Sequence, residues 1–403
     1  MQKYLSKTEV IERLKIIRFV KDELIGFLGG WVGSIPDVDV KIAFGGQIYR
    51  DALHGVAARK RLEYLGARTE EKQRFNPTEE FADWLANIWN EIRSDAERLF
   101  IASIFFREKL HAQIVKQIEW TSFPEDVATK QLLEQIAEED DLHLAWAKEK
   151  MKLYGIENLE TLRTQYDAAF NAVGGFTTSK RSLPLFRKTF SFSAQPARPA
   201  HFVTIQNADA YEEKAQSFAT TEGKKRLIHD LINGEFITVE RLGRMLAEFP
   251  ELPWQMKFEI ARQIWDEARH GEALMRRLRE LGGEFGDYPL NYWGWEVDVN
   301  RSDPLERLAI SNTVFEREAS KHLHHWIQIA NETGDVESAR VIEFLLADEV
   351  THVQLGKKWI DECTKHDPER RARVLAYPDE ILGTVRPKGI ILDEVLHAAT
   401  KET

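Results

Sequence analysis

Apolar and small residues follow a helical stripe through most of this chain. Between 305 and 330 the stripe is Leu305, Leu308, Ala309, Phe315, Ala319, Leu323, Ile327 and Ala330, a period near 3.6 residues. Strand-like alternation is scarce. Turn signals cut the helical stretches at Gly29-Gly30, Ser34-Ile35-Pro36, Phe123-Pro124, Phe249-Pro250 and Asn331-Glu332-Thr333-Gly334. Asp37, Pro124 and Asp335 stand where helix starts are expected. The pattern predicts an all-α protein of four helical hairpins, near 7–65, 80–155, 222–282 and 304–364. Two hairpins close one four-helix bundle, so the expected architecture is two tandem bundles.

Two stretches depart from the pattern. Residues 166–220 carry Gly174-Gly175 and Ala194-Gln195-Pro196-Ala197-Arg198-Pro199, and read as a linker partly ordered on the surface. Residues 367–403 carry Pro368, Pro378 and Pro387 and read as a C-terminal extension with one short helical candidate, Ile391–Ala399. The expected domains are therefore a bundle at 1–165, the linker at 166–220, a second bundle at 221–366 and the extension at 367–403.

An internal repeat carries the chemistry. Glu108, Asp140 and His143 map onto Glu235, Glu267 and His270 at one ungapped offset of 127 residues. A third copy is Glu316 with Glu349-Val350-Thr351-His352, and Asp51-Ala52-Leu53-His54 is a partial fourth. The acid-x-x-His triplet alone is weak. With 12 His and 66 acidic residues, chance supplies about two matches, and the chain has six, at His54, His111, His143, His270, His352 and His397.

Spacing makes the pattern specific. Residues i and i+3 of a helix share a face. Glu235 and Glu267 lie at similar distances on either side of the turn near 250, and Glu316 and Glu349 do so around the turn near 333. In antiparallel hairpins, Glu235, Glu267, His270, Glu316, Glu349 and His352 then converge at one level. One Glu from each of two helices, with Glu-x-x-His from the other two, is the ligand pattern of di-iron and di-manganese carboxylate sites. Four carboxylates neutralise two divalent cations, and two imidazoles complete the ligand set while leaving open positions.

Asp266 and Asp348 each lie four residues before a ligand His, within reach of that turn or of a neighbouring helix. There they would orient the imidazoles. Glu240 is displaced round the helix from Glu235, and Glu318 is off the stripe that passes Glu316. The His322, His324, His325 cluster also lies off that face. Tyr288-Pro289-Leu290-Asn291-Tyr292-Trp293-Gly294-Trp295, between the last two hairpins, is expected to pack against the other bundle, the alternatives being a cover for one bundle end or part of a substrate pocket.

The first bundle offers Asp51, His54, Glu108, Asp140 and His143. Its first helix has only Arg18, Phe19 and Lys21 at the required level. This bundle reads as a degenerate copy in which a cation of the protein replaces the metal, with a mononuclear site as the alternative.

Composition narrows the functional class. A chain of 403 residues with net charge -11 and no basic tract is a poor nucleic-acid binder. Cys363 is the only cysteine, which excludes disulfide scaffolds and thiolate zinc sites. No secretory leader or apolar membrane span is apparent, so a cytoplasmic protein is expected.

With these residues in hand, the sequence resembles the ferritin-like di-iron carboxylate superfamily, and most closely an uncharacterised, domain-of-unknown-function branch of it. The matching stretches are Phe285-Gly286-Asp287-Tyr288-Pro289, Phe315-Glu316-Arg317-Glu318-Ala319, Gly334-Asp335 and Asp348-Glu349-Val350-Thr351-His352-Val353. The likeness covers about 220–362, and Ala197-Arg198-Pro199 less well. Branch members usually have Glu-Ala-Arg-Gly-Leu-Asp where this chain has Glu316-Arg317-Glu318-Ala319-Ser320-Lys321; the ligand Glu316 is kept. The resemblance implies ferritin-like bundles and oxidation chemistry on O2, and names no substrate.

The expected function is thus a di-metal oxidoreductase, with two Fe ions (Mn as the alternative), activating O2 to oxidise a small organic or nucleoside substrate. An oxygenase would also need an electron donor. The competing readings are a ferroxidase or iron-handling protein, and a non-catalytic scaffold with a structural metal site. Oligomeric state stays open.

Overall fold

The computed structural model describes residues 4–92, 94–156, 159–179, 192–205 and 218–385. Among them the protein is all α, with one isolated bridge between Thr204 and Leu290. The long helices are α1 (Lys7–Val32), α2 (Val38–Tyr64), α6 (Phe106–Trp120), α7 (Val127–Leu153), α9 (Thr221–Glu248), α10 (Trp254–Glu280), α13 (Glu316–Glu332) and α14 (Val336–Thr364). Shorter helices lie between them: α3 (Glu70–Gln73), α4 (Glu79–Glu91), α5 (Asp95–Phe100), α8 (Glu160–Ala172), α11 (Trp293–Glu296) and α12 (Pro304–Ile310). The last described helix is α15 (Pro368–Val385).

Local chemistry places most of the boundaries. Ser6 caps α1 in a reciprocal capping box with Glu9. Asp335 caps α14 by accepting from the Ser338 N–H, as its position after Gly334 predicts. Asp126, two residues beyond Pro124, caps α7.

Two expectations fail for identifiable reasons. Gly29-Gly30 is not a turn but lies inside α1, where a Cβ on Gly29 would stand 2.5 Å from the Gly243 carbonyl oxygen of α9. The glycines permit a close helix crossing. The stripe at 305–330 is not one α-helix either: a π-helical turn at Ser311–Phe315 separates α12 from α13. An equivalent turn at Ile101–Phe105 precedes α6. A π turn fits one extra residue into the helix, which stripe counting does not detect.

The chain divides into two compact units. The first comprises residues 1–34, 46–192 and 243–261, and the second 35–45, 193–242 and 262–403. The first has an aromatic core. Phe27 stacks on Trp89 and Phe106, while Trp84, Phe105 and Phe170 pack edge to face. Tyr166 and Phe170, in the segment read as linker, are buried there on α8.

The core of the second unit gathers Ile228, Ile232, Phe236, Leu274, Leu278, Leu323, Ile342 and Leu345. Tyr292 and Trp295 close a smaller cluster with Ile237 and Val299, so the aromatic stretch packs within its own unit. The extension carries an unexpected helix, α15, with Pro378 inside it. Its Tyr377 is buried beside Val297 and Ile310, and Arg370 clasps Asp303 at 2.7 and 2.8 Å. Glu394, His397 and the Ile391–Ala399 candidate lie outside the described residues.

Candidate metal centre

In the second unit, the polar residues of interest interrupt the buried stripes. On α14 the inward positions run Ile342, Leu345, Glu349, His352, Gly356 and Trp359, so Glu349 and His352 replace apolar residues at the same phase. On α10, Glu267 and His270 sit between Ile264 and Leu274, and on α9 Glu235 precedes Phe236. Glu316 opens α13 directly after the π turn. All six expected residues are buried, none more than 7% exposed.

They form two overlapping groups. One holds Glu235, Glu267, His270 and Glu349; the other holds Glu267, Glu316, Glu349 and His352; in each group one ligand atom per residue lies within 4.8 Å of all the others. Glu267 and Glu349 belong to both. His270 turns Nδ1 toward Glu235, Glu267 and Glu349 at 3.4, 3.5 and 3.6 Å, and that nitrogen has no hydrogen-bond partner. His352 turns Nδ1 toward Glu267 at 3.2 Å and Glu349 at 3.1 Å.

The outer nitrogens meet the two aspartates crosswise. His270 Nε2 lies 3.2 Å from Asp348 Oδ2 on α14, and His352 Nε2 lies 3.5 Å from Asp266 Oδ2 on α10. Each aspartate thus faces the histidine of the neighbouring helix. Arg269 ties the pair together, donating to both Asp266 and Asp348. Gln263 Nε2 donates to Glu267 and Glu316 at 3.1 Å each, and Asn312 Nδ2 donates to Gln263 at 2.7 Å and to the His352 carbonyl at 2.9 Å. Asn312 approaches because α14 has glycine at 356, where a Cβ would stand 2.5 Å from the Asn312 Cβ.

Sequence reasoning did not single out Gln263, Arg269 or Asn312. Their signal was positional. Gln263 and Asn312 each lie four residues before a Glu of the cluster, and Asn312 is a polar residue on an apolar stripe.

The electrostatics show what burial does to such a cluster. Burial raises the Glu235 carboxyl well above its ordinary value, and the Glu267 charge adds to the rise. Burial does the same to Glu316, with repulsion from Glu349 and Glu267. Burial also opposes the charge of Glu267, but attraction to His352 and His270 outweighs it and holds that carboxyl low. Burial disfavours both imidazolium forms, yet the surrounding carboxylates prevail. His270 is raised well above its ordinary value and His352 to about 10. Asp348 is held at about 2, with His270 and Arg269 overcoming its burial.

Glu240 belongs to another cluster. It is fully buried and receives Lys41 at 2.6 Å and Arg198 at 2.6 and 3.2 Å. Glu318 pairs with Lys321 on the outside of α13. His324 is exposed and turns to the Ser320 carbonyl.

The first unit holds a different arrangement. Lys21 on α1 donates to Asp51 at 2.9 Å and to Asp140 at 2.7 and 3.0 Å. Arg107 on α6 spans the same two carboxylates, and all four side chains are fully buried. Lys21, expected to stand at this level, is one of the two cations between the aspartates. Asp51, His54 and Asp140 also converge as potential ligands. Glu108 does not join them. It faces outward to Arg163 at 3.1 Å and Lys148 at 2.9 Å, and the inward residue is Arg107. The ungapped offset of 127 sets α6, which follows a π turn, against α9, which has none. An offset of 209 instead maps Arg107, Asp140 and His143 onto Glu316, Glu349 and His352, and pairs the two π-interrupted helices.

A family model described as "Protein of unknown function (DUF455)" matches residues 128–388, more than half of the chain. The chain belongs to the DUF455 family. The matched DUF455 region contains all six residues of the buried cluster, both flanking aspartates, and Asp140 and His143. A protein of Haemophilus influenzae (strain Rd), described as "Uncharacterized protein", is 26% identical over 160 residues, which is 37% of this chain and 55% of that protein. The chain therefore spans about half the length of this relative. No solved structure matches it. No helix among the described residues is long and apolar enough to cross a membrane.

Proposed function

We propose that this DUF455 chain is a di-metal oxidoreductase whose second unit holds two Fe ions, with Mn as the alternative, and activates O2 to oxidise a small organic or nucleoside substrate. The observation that carries the reading is the overlap of two ligand groups through Glu267 and Glu349. Two carboxylates common to both groups suit a pair of adjacent cations. The donor set fits. His270 Nδ1 is buried without a hydrogen-bond partner while three carboxylates surround it at ligand spacing rather than bonded to it. Glu235 and His270 would hold one ion, Glu316 and His352 the other, and Glu267 and Glu349 both. On this reading each unit is a ferritin-like four-helix bundle, and the first is a duplicate in which Lys21 and Arg107 stand for the metals.

When bound, such ions supply Lewis acidity and electrons to O2 at His and carboxylate ligands. The chain's own residues set the conditions. Asp348 accepts from His270 Nε2 and Asp266 faces His352 Nε2 at 3.5 Å, an arrangement that presents Nδ1 of both rings inward and would fix the tautomer and strengthen the ligand. Gln263 donates to one oxygen each of Glu267 and Glu316, orienting both carboxylates. The apolar residues above and below on the same stripes exclude bulk water. A substrate would need an electron donor as second partner if it is hydroxylated.

The test is anaerobic loading of the purified protein with Fe(II), metal counting, and mixing with O2 while absorbance is followed from the near-ultraviolet to the visible. Two Fe per chain and rapid oxidation are expected. Uptake of iron well beyond two per chain would favour iron handling. Two bound Fe(II) that resist oxidation for many minutes would leave a structural metal site.

A further inference from the structure

The first unit contains a cavity of about 430 Å³ that the metal reading does not use. Its volume falls in the range of small-molecule pockets. Its apolar walls include Phe19, Phe75, Leu85, Trp89 and Trp254. Its charged lining is mixed, and most of the charges are already satisfied. Lys257 donates to Asp22 at 2.6 Å, and Lys15 to Glu12 at 2.7 Å. Glu23, Arg74 and Glu251 complete the charged lining, each with a partner of its own.

Arg18 and Arg59 are different. Both guanidinium groups turn to one carboxylate, Glu70, which Arg59 meets at 2.7 and 3.4 Å. The Arg18 side chain is 9% exposed and that of Arg59 14%, while Glu70 is 66% exposed on the short helix α3. Two buried cations thus pair directly with one solvated carboxylate, while Asp22 attracts both from further away. Burial lowers Arg18 to about 10, and burial with repulsion from Arg18 lowers Arg59 to about 9.

Arg18 Nη1, Arg59 Nε and Trp254 Nε1, all on residues lining this cavity, have no hydrogen-bond acceptor. Arg59 also stands over Trp254, its guanidinium carbon 4.4 Å from the ring centroid, a cation–π contact. Gly55 admits the indole there, since a Cβ would stand 2.5 Å from the Trp254 ring. Gly26 opens the opposite way: it lines the cavity, and a Cβ would meet nothing within 4 Å.

We propose that this cavity is a binding site for a small organic oxyanion with a flat apolar body, held by Arg18, Arg59 and Trp254, with Glu70 as the built-in competitor for the two arginines. A carboxylate or phosphate offers the acceptors these donors lack, and guanidinium groups bind either in a two-pronged fashion. The aromatic walls take the apolar body. Glu70 is exposed on a four-residue helix and is free to yield its place at little cost in packing. The site is separate from the proposed metal centre and does not depend on it.

The experiment is titration calorimetry on the full-length protein with 1-naphthoate, 1-naphthyl phosphate and uncharged 1-naphthalenemethanol. One anion is expected to bind at one per chain, at least tenfold tighter than the alcohol; which anion wins distinguishes a carboxylate from a phosphate site. Arg18→Gln should weaken binding at least tenfold. Glu70→Gln, at an exposed position, should strengthen it. Gly26→Leu should abolish it by filling the cavity without changing charge, and Glu267→Ala should leave it intact. Helicity by circular dichroism establishes that each variant folds. Failure of both anions to bind, equal affinity for the alcohol, or binding unchanged in Gly26→Leu would overturn the proposal.

Discussion

Lys21, Asp51, Arg107 and Asp140 in the first unit, and Glu235, Glu267, Glu316 and Glu349 in the second, are both sets of charged side chains delivered by four helices into a buried interior. The first set carries its own counter-charge. Two cations meet two carboxylates at ordinary hydrogen-bond distances, and burial of the ions is compensated within the protein. Attraction to Arg107 and Lys21 overcomes the burial of Asp51 and holds it below its usual range, and the same cations, Lys21 leading, lower Asp140. The second set has four carboxylates and no Lys or Arg among them, so burial and mutual repulsion raise Glu235 and Glu316 well above the ordinary carboxyl value. Two charge changes of this kind, Glu for Lys21 and Glu for Arg107, separate a closed ion network from a carboxylate cluster with no Lys or Arg of its own.

The largest expected effect separates the two sets by metal content. Glu267→Ala or Glu349→Ala removes a carboxylate common to both ligand groups, and should take bound metal from two ions per chain to nearly none by plasma mass spectrometry. Asp51→Ala should leave the count at two; equal loss there would end the contrast between the units.

Next in size is stability. Lys21→Met or Arg107→Met leaves buried carboxylate charge uncompensated, and should destabilise the protein by about 3–5 kcal/mol in chemical denaturation, with metal content unchanged. A loss below about 1 kcal/mol would mean that the network is not closed by these cations.

Smaller again is the effect of the crossed aspartates. Asp266→Asn and Asp348→Asn should preserve helicity and weaken metal affinity about 10–100-fold. Because the pairing crosses between α10 and α14, Asp348→Asn should perturb the ring signals of His270 more than those of His352. The reverse order would assign each aspartate to its own helix.

The smallest effect concerns protons in the first unit. Burial, with repulsion from Arg107, lowers His143 from 6.5 to about 3. The unfolded chain then binds a proton below about pH 6.5 that the folded protein refuses until about pH 3, so stability falls with acidification across that window. His143→Gln should reduce proton uptake on unfolding at pH 5 by about one. An unchanged pH slope would show that His143 is protonated in the folded state.

Much of the second unit was legible from spacing. Glu-x-x-His on a helix presents both groups to one side, and equal distances from a turn set partners at one height; neither relation needs a tertiary contact. Lys21 was legible for the same reason, as the only residues at that level of α1 were not ligands. Glu108 was misplaced because an ungapped repeat assumes an uninterrupted α-helix. One residue of phase is about 100° of rotation, enough to exchange Glu108 for Arg107 on the inward face.

The sequence by itself determined the helical class, the inward faces of α9, α10, α13 and α14, and the kind of chemistry their carboxylates and imidazoles could support. All follow from periodicity, which acts over a few residues. Only the tertiary structure decided which aspartate faces which histidine, that Gln263 bonds two of the carboxylates while Asn312 holds Gln263, that α15 packs against α12, and that Arg18, Arg59 and Trp254 line one cavity. Those relations join positions tens to hundreds of residues apart, and depend on interhelical distance and the phase of each helix at its crossing, quantities that π turns and glycine contacts alter without disturbing the local pattern.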